Sequence, residues 1–240
     1  MLASKIKLIR GDITQIKTID AIVNAANCSL LGGGGVDGVI HRAAGRGLYE
    51  ECKTLNGCET GQAKLTGAHD LTHLKGIIHT VGPRILRDDG VTDEKRQQLQ
   101  NCYVNSLKLA VENQLETIAF PCISTGIYGY PNKEACDHVL EAVKDWLAED
   151  DNAEKIKHIV FCVFLPIDTK EYLTKLPEYF EGWEYEEPEE DKAESEEDKA
   201  ESEDEAKTET EDATPESSEA KDAEVEGVKS GASDAEKSES

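Results

Sequence analysis

The chain of 240 residues carries 26 basic and 50 acidic side chains, which gives a formal net charge of −24. Half of the acidic residues lie at one end, because residues 184–240 hold 25 acidic and 6 basic residues, a net charge of −19. Such an acidic chain is not expected to bind duplex nucleic acid unaided, since that affinity comes mainly from cations that meet phosphates. No apolar run approaches the roughly 18–20 residues of a membrane helix, so no membrane partner is expected.

Residues 1–183 carry the hydrophobic patterns of alternating strands and helices. In chain order, these patterns predict strands at 5–9 and 21–23, helices at 36–44 and 48–54, strands at 63–66 and 77–81, a helix at 95–113, a strand at 117–120, a helix at 133–147, a strand at 159–165 and a helix at 169–179. Strands that alternate with helices of this length are typical of a three-layer α/β domain. We therefore expect one α/β domain over residues 1–183.

Residues 184–240 predict a disordered acidic tail. The segment contains two tandem copies of EEDKAES, at 189–195 and 196–202, with no large apolar side chain that could form a coiled-coil seam. A segment this polar cannot bury enough apolar surface to offset its ordering entropy. Ser195 and Ser202 are followed by acidic residues, so an acid-directed kinase could modify them. We expect the tail to affect location or partner choice and to leave catalysis unchanged.

The seven cysteines are scattered and form no CxxC pair, which argues against a zinc knuckle and a thioredoxin-like motif. We interpret them as reduced thiols of a cytoplasmic or nuclear protein. The first residues become charged too early for the core of a signal peptide. No cluster has metal-ligand spacing, so neither a metal nor a cofactor is expected.

Three loops that follow predicted strands have unusual compositions: 11–14, 24–38 and 121–131. Ligands of open α/β sheets bind at the carboxyl ends of the strands, where such loops lead into helices. Glycine runs that open helices expose backbone N–H groups to anions, and the helix N-terminus adds a partial positive charge. Two such loops, one before Val36 and one before Lys133, could therefore hold the two phosphates of a diphosphate.

Two familiar nucleotide motifs explain these loops less well. Gly33, Gly35 and Gly38 formally match the dinucleotide fingerprint, but they lie about nine residues beyond the second strand and not directly after the first. The acidic residue that this motif requires about 20 positions later has only Glu59 as a candidate. No GK[ST] follows a glycine run, so a P-loop is excluded.

Five motifs in order carry a resemblance to a known family: GDIT (11–14), DAIVNAAN (20–27), LLGGGGVDGVIHRAAG (30–45), GQAKLTGAHDL…IIHTVGP (61–83) and ISTGIYGYP (123–131). They resemble the macrodomain, specifically its MacroD-type branch of ADP-ribosyl hydrolases, from about Lys5 to Phe180. The resemblance implies an α/β/α domain with a mixed central sheet and an ADP-ribose ligand. His69, Thr72 and His73 depart from the family pattern in a stretch that supports the fold.

The resemblance also implies a role for each loop. Asp12 and Ile13 would bind adenine, and a turn or helix cap is the alternative role for Asp12. The phosphates would be wrapped by Gly33, Gly34, Gly35 and Val36 on one side and by Ser124, Thr125, Gly126 and Ile127 on the other. Asn27 would bind the distal ribose, and Tyr128 would lie over it. Phe164 would line the adenine pocket or else be an ordinary core residue, and Asn24 is interpreted as a structural amide.

Asp37 and Asn27 are the expected catalytic residues. Asp37 falls in the first turn of a helix, where the dipole favours its ionised form, while a nearby diphosphate would raise its pKa. It could otherwise be a helix cap, and His41 one turn later could hydrogen-bond to it or be a core histidine. A water held between Asp37 and a substrate phosphate would attack the distal ribose, with either group as the base.

The resulting expectation is a monomeric hydrolase that removes ADP-ribose from Glu or Asp of mono-ADP-ribosylated proteins and deacetylates O-acetyl-ADP-ribose. The family resemblance also implies a role in reversing ADP-ribosylation in the response to DNA damage. Two alternatives remain open at this point. One is a reader that binds ADP-ribose without cleaving it, and the other is a phosphatase that acts on a phosphorylated ADP-ribose.

Overall fold

Strands and helices alternate through residues 1–86 and 90–185, which are the residues that the computed structural model describes. The strands are β1 (Ile6–Arg10), β2 (Ala21–Ala26), β3 (Ala63–Thr66), β4 (Gly76–Val81), β5 (Thr117–Pro121) and β6 (His158–Val163). The helices are α1 (Gly35–Thr54), α2 (Asp93–Glu112), α3 (Asn132–Ala148), α4 (Asn152–Lys155) and α5 (Pro166–Tyr179). Short 3₁₀ turns at Ala3–Lys5 and Ile13–Gln15, like α4, are too brief for hydrophobic periodicity to predict.

The six strands form a sheet in the order β1-β6-β5-β2-β4-β3. The pairs β1–β6, β6–β5, β5–β2 and β2–β4 are parallel, whereas β3 is antiparallel to β4, so the predicted mixed sheet is confirmed. Parallel strands place their carboxyl ends at one edge of the sheet. The loops after β1, β2, β5 and β6 therefore meet at that edge.

Two apolar clusters cover the two faces of the sheet and make the domain a three-layer α/β/α structure. The larger cluster joins the sheet to α2, α3 and α5, and the smaller one joins the opposite face to α1. At the end of the domain, the buried indole of Trp183 donates a hydrogen bond of 3.0 Å to the carbonyl of Ile6. This contact fixes the segment after α5 against β1.

Helix α1 is broken at Gly45, which agrees with the two separate helices predicted at 36–44 and 48–54. Gly45 has φ +75° and ψ −175°, a conformation outside the helical region. A Cβ atom built on Gly45 would lie 2.0 Å from Oδ2 of Asp70, so glycine is needed for space as well as for conformation. The first half of α1, which carries Asp37 and His41, is thereby oriented independently of the second half.

The last predicted elements differ from the structure at their boundaries. Strand β6 ends at Val163, and α5 begins at Pro166, which is favoured at the first position of a helix. Phe164 and Leu165 therefore lie in a short loop and not in the strand. In the stretch that departs from the family pattern, His69 Nε2 lies 2.6 Å from Glu51 Oε2, and this contact links the stretch to α1.

The tail predicted from residue 184 lies outside the described residues apart from Glu184 and Tyr185, and so do the two serines proposed as kinase sites. Among the described helices, none combines the length and the apolar character that a membrane-spanning segment needs.

Candidate functional site

A cavity of about 720 Å³ opens at the carboxyl edge of the sheet. Its walls come from the loop after β1, the loop between β2 and α1, the loop between β5 and α3, and the loop between β6 and α5. The structure brings together all the predicted ligand-binding residues at this cavity: Asp12, Ile13, Asn27, Gly33, Gly34, Gly35, Val36, Asp37, Ser124, Thr125, Gly126, Ile127, Tyr128 and Phe164. Their contacts with ADP-ribose remain a prediction.

Asp12 lies at the cavity and also caps a helical turn. Its Oδ1 accepts hydrogen bonds from the backbone N–H of Thr14 at 2.9 Å and from the Thr14 hydroxyl at 2.7 Å. The cap, considered as an alternative to ligand binding, is therefore present. It uses one oxygen of an exposed carboxylate, so capping and recognition of an adenine amino group are compatible.

The glycine run before α1 forms a wall without side chains. Gly34 is the N-cap of the helix and Gly35 has φ +61°; both line the cavity, and the first N–H groups of a helix have no partner within it. A Cβ on Gly38 would lie 2.5 Å from the carbonyl oxygen of Gly33. The run is therefore packed directly against the first turn of α1, where the helix dipole favours an anion.

Asn27 follows β2 and braces the glycine run. Its Nδ2 donates to the carbonyl of Gly32 at 2.9 Å, and its Oδ1 accepts from Ser29 N at 2.9 Å and Ser29 Oγ at 2.6 Å. One amide hydrogen remains for a ribose hydroxyl. Asn27 therefore shapes the loop, in addition to the ligand contact predicted for it.

The loop after β5 carries a buried hydroxyl that lacks a protein partner. Ser124 has φ +69°, and its Oγ has no hydrogen-bond partner among the described residues. A Cβ on Gly82 would lie only 2.0 Å from this oxygen, so the glycine makes room for it. Buried polar atoms are nearly always hydrogen-bonded, which makes this hydroxyl at the cavity wall a candidate contact for a ligand or a water molecule.

The two glycine-rich loops approach each other across the cavity. Cδ1 of Ile127 would lie 3.5 Å from a Cβ on Gly34, which is an ordinary van der Waals contact. Although Ile127 is 78% exposed, it reaches the opposite loop. A diphosphate between the loops would be covered by this side chain and partly shielded from water.

Phe164 and Tyr128 supply aromatic surfaces at the cavity. Phe164 is 71% exposed, so the alternative that it is an ordinary core residue is wrong. An exposed ring at a cavity wall can stack on a planar base. Tyr128 is half-buried; burial raises the pKa of its hydroxyl, which stays protonated at neutral pH and can donate a hydrogen bond.

Asp37 is buried at the base of the glycine run, with 3% of its surface exposed. Its Oδ1 accepts a hydrogen bond of 2.8 Å from Asn24 Nδ2 and lies 3.4 Å from His41 Nε2. Burial raises the pKa of Asp37 and outweighs the opposing effects of Asn24 and His41. Oδ2 is the oxygen beside the glycine run, because a Cβ on Gly33 would lie 3.1 Å from it.

His41, Cys52 and His79 place possible metal-donor atoms within 4.8 Å of one another beneath Asp37. Both ring nitrogens of His79, however, already contact protein atoms: Nδ1 contacts Asn24 and Nε2 contacts Thr66, each at 3.0 Å. Burial raises the pKa of the Cys52 thiol to about 11, which disfavours the thiolate that a metal would need. The cluster is better described as a hydrogen-bonded core.

Sequence reasoning missed two charged residues at the cavity. Arg42 lies on α1 beside Gly38 and is the one cationic side chain among the lining residues that the structure describes. Asp168, in the first turn of α5, is buried and accepts a hydrogen bond of 2.6 Å from Asn132 Nδ2. Burial raises its pKa. The available signal for Arg42 was its position one helical turn after Gly38, and the signal for Asp168 was its position shortly after the end of β6.

Comparisons with known proteins agree with this arrangement. Residues 23–139 match the family model described as Macro domain. ADP-ribose glycohydrolase MACROD2 of Homo sapiens is 52% identical over 190 residues, which are 79% of this chain and 43% of that protein. This chain thus spans less than half the length of MACROD2.

Two further proteins are similar over more of their own length. Macro domain-containing protein CT2219 of Chlorobaculum tepidum is 50% identical over 167 residues, which are 70% of this chain and 92% of that protein. The crystal structure of a Trypanosoma brucei macrodomain in complex with ADP-ribose has a TM-score of 0.63 at 41% identity, and the match covers 71% of this chain and 69% of that chain. The chain belongs to the macro domain family.

Proposed function

We propose that this protein is a hydrolase that releases ADP-ribose from Glu or Asp side chains of mono-ADP-ribosylated proteins and acetate from O-acetyl-ADP-ribose. The observation that carries the proposal is the buried carboxylate of Asp37, which lies at the N-terminus of α1 beside a glycine-lined cavity. The name ADP-ribose glycohydrolase for MACROD2 supports the reaction class, and the Trypanosoma brucei complex supports the ligand.

We propose one direction for ADP-ribose in the cavity. Its adenine would lie between Asp12 and Phe164, and its diphosphate would lie between the Gly33 and Ser124 loops. The distal ribose would then reach Asn27, Asp37 and Tyr128, which also line the cavity. Backbone N–H groups, a helix N-terminus and the Ser124 hydroxyl would bind the phosphates.

Release of ADP-ribose from Glu or Asp needs water at the anomeric carbon of the distal ribose, whereas release of acetate from O-acetyl-ADP-ribose needs water at the acyl carbon of the ester, with the ribose hydroxyl as the leaving group. One oxygen of Asp37 is committed to Asn24, so Oδ2 is the oxygen that can hold the attacking water. As the water oxygen bonds to the anomeric carbon, the bond from that carbon to the acyl oxygen breaks and the protein carboxylate leaves. The proton of the water passes to Asp37 or to a substrate phosphate oxygen. A raised pKa makes the ionised Asp37 a stronger base.

The test compares Asp37→Ala and Asp37→Asn with wild type on a peptide that carries ADP-ribose on a glutamate. We expect both variants to lose at least about 100-fold in kcat, while the Kd for ADP-ribose in calorimetry changes less than about fivefold. The matched control is Asp93→Asn, which alters an exposed carboxylate in the first turn of α2 and should keep wild-type turnover. Unchanged turnover in the Asp37 variants would remove the catalytic role.

The same assay separates the alternatives. Tight ADP-ribose binding by the wild-type protein without release from the modified peptide would identify a reader. Faster turnover of a phosphorylated ADP-ribose than of the ester would identify a phosphatase. Asp37 favours hydrolysis, since a carboxylate next to a diphosphate is unfavourable for binding alone.

We also propose a cellular location, an oligomeric state and a role for the tail. All seven cysteines are free thiols, which supports a reducing compartment such as the cytoplasm or nucleus, where a role in the response to DNA damage would be located. Fluorescence imaging of the tagged chain tests the location. We propose a monomer whose tail is dispensable for catalysis, so kcat/KM should be equal for the whole chain and for residues 1–183.

A further inference from the structure

A row of buried polar side chains connects the sheet to Asp37. Asn24 and His79 are register partners on the parallel strands β2 and β4, so their side chains share the face that α1 covers. Thr66 lies on β3, the next strand of the sheet, and shares this face. Asn24, His79 and Thr66 are each at least 97% buried. No step of the proposed reaction uses His79 or Thr66.

The hydrogen-bond geometry assigns one proton arrangement to this row. Asn24 Nδ2 lies 2.8 Å from Asp37 Oδ1 and 3.0 Å from His79 Nδ1. An amide nitrogen has two hydrogens and no acceptor site, so His79 Nδ1 must be unprotonated. His79 Nε2 then donates to Thr66 Oγ1 at 3.0 Å, and the Thr66 hydroxyl donates to the carbonyl of Gly67 at 3.1 Å.

We propose that His79 is a positioning residue, whose unprotonated Nδ1 holds the Asn24 amide with its nitrogen towards Asp37. The reversed amide would place Oδ1 of Asn24 against an ionised carboxylate, which is repulsive. The observed orientation is kept although Asn24 Oδ1 has no hydrogen-bond partner among the described residues. An unprotonated His79 Nδ1 therefore supports the orientation that gives Asp37 an N–H group, whereas a protonated Nδ1 would favour the amide oxygen in that place.

Among the groups around Asp37, the Asn24 hydrogen bond is the largest effect that favours the ionised carboxylate, although burial outweighs it. His41 and Cys52 face it from α1, His79 lies beyond Asn24 on β4, and Tyr128 approaches from the loop after β5. Burial holds the pKa of His79 at about 3, and it raises the pKa of Cys52 to about 11 and that of Tyr128 as well. His79, Cys52 and Tyr128 therefore stay neutral near pH 7.

Substitution of His79 by Asn and by Gln tests the roles of the two imidazole nitrogens separately. The oxygen of Asn in His79→Asn can occupy the place of Nδ1 and accept from Asn24. The longer side chain in His79→Gln reaches the place of Nε2 and loses that acceptor. Thr66→Val removes the acceptor of Nε2–H at nearly constant volume, so the other tautomer becomes available and turns Nδ1 into a donor.

The test measures the titration of Asp37 by NMR in the whole chain labelled with ¹³C-aspartate, with the resonance assigned through Asp37→Asn. We expect the Asp37 titration to move to higher pH in His79→Gln and Thr66→Val, because the N–H bond that favours the charged form is weakened. His79→Asn should titrate close to wild type. The matched controls His158→Asn and His158→Gln alter a histidine at the start of β6 and should leave the Asp37 titration unchanged.

Enzyme kinetics provide the second readout. The predicted effect of His79 on catalysis rests on the proposed function. At pH 6 we expect His79→Gln to lose about tenfold in kcat, the effect of one hydrogen bond to a charged group, with KM changed less than about twofold. Equal Asp37 titration in His79→Gln, Thr66→Val and wild type overturns the proposal. If wild type fails to hydrolyse the ester, the proposed function fails, while the NMR titration still decides the role of His79. Should His79→Gln fail to fold, Thr66→Val decides it alone.

Discussion

Replacing Gly38 with alanine tests whether the position of the glycine run controls ligand binding. Gly38 lies in the first turn of α1, directly after Asp37, and is not itself expected to touch the ligand. In a helix, Ala is favoured over Gly by about 0.5–1 kcal/mol, so local propensity alone would make Gly38→Ala stabilising. The new methyl carbon, however, would lie 2.5 Å from the carbonyl oxygen of Gly33.

The magnitude follows from this distance. A carbon and a carbonyl oxygen pack at about 3.3–3.6 Å, so the Gly33 carbonyl must retreat by about 1 Å. That movement displaces the glycine run relative to Asp37 Oδ2 and Asn27 Nδ2, which would lie 3.1 Å and 3.2 Å from a Cβ on Gly33. A misplacement of about 1 Å in a site can reduce the rate about 100-fold, which corresponds to about 2.7 kcal/mol.

Calorimetry with ADP-ribose and turnover of the ester together measure the effect of Gly38→Ala. We expect kcat/KM to fall about 100-fold, with a weaker Kd, while far-ultraviolet circular dichroism still shows a folded protein. Gly67→Ala is the matched control, because its methyl group would make only ordinary contacts outside the cavity, with Glu51 Oε2 at 3.6 Å and His69 Nε2 at 3.9 Å. Wild-type values of Kd and kcat/KM in Gly38→Ala would refute the reasoning.

Three further substitutions separate binding from stability. Ser124→Ala removes a buried hydroxyl without a protein partner, so Tm should stay constant or rise while calorimetry shows ADP-ribose binding about 3- to 10-fold weaker. Phe164→Ala removes an exposed ring, so ADP-ribose binding should weaken at least about fivefold with Tm unchanged, and a large fall in Tm would mean that the ring packs in the core. Asp37→Asn should raise Tm at pH 8 and match wild type below pH 3.8, the ordinary pKa of the group. Because the pKa of Asp37 is raised in the folded state, the folded protein binds more protons than the unfolded chain between pH 3.8 and this raised pKa. Wild type therefore loses stability as the pH rises through that range. Equal Tm values of Asp37→Asn and wild type at pH 8 would contradict this.

The sequence was sufficient to predict the elements of the cavity because its loops carry local signals. A glycine run before a helix, a strand end followed by Asp12 and a polar loop after β5 are each visible within about ten residues. Their convergence follows from parallel strands, whose carboxyl ends share one edge. For Phe164 the pattern was ambiguous, because an apolar run does not show where the strand ends. In the structure β6 ends at Val163, and that single position exposes the ring.

The row beneath Asp37 could not be predicted from the sequence. Asn24 and His79 are visible as polar interruptions of two apolar strands, but they lie 55 positions apart. They meet only because β2 pairs with β4 in a register that matches these two residues. That register depends on how α1 and β3, which lie between the two strands in the sequence, pack against the sheet, and the pattern of either strand alone does not contain it.

The cavity combines features that oppose each other electrostatically. Asp12, Asp37 and Asp168 line it with one described cation, Arg42, although the ligand we propose carries two phosphate charges. Backbone N–H groups resolve this conflict for the phosphates, because they attract an anion without adding a mobile charge. Asp37 remains unfavourable, since burial and a nearby diphosphate both raise its pKa. The Asn24 hydrogen bond acts against both effects, and a carboxylate that is a strong base yet still ionised near pH 7 requires this balance.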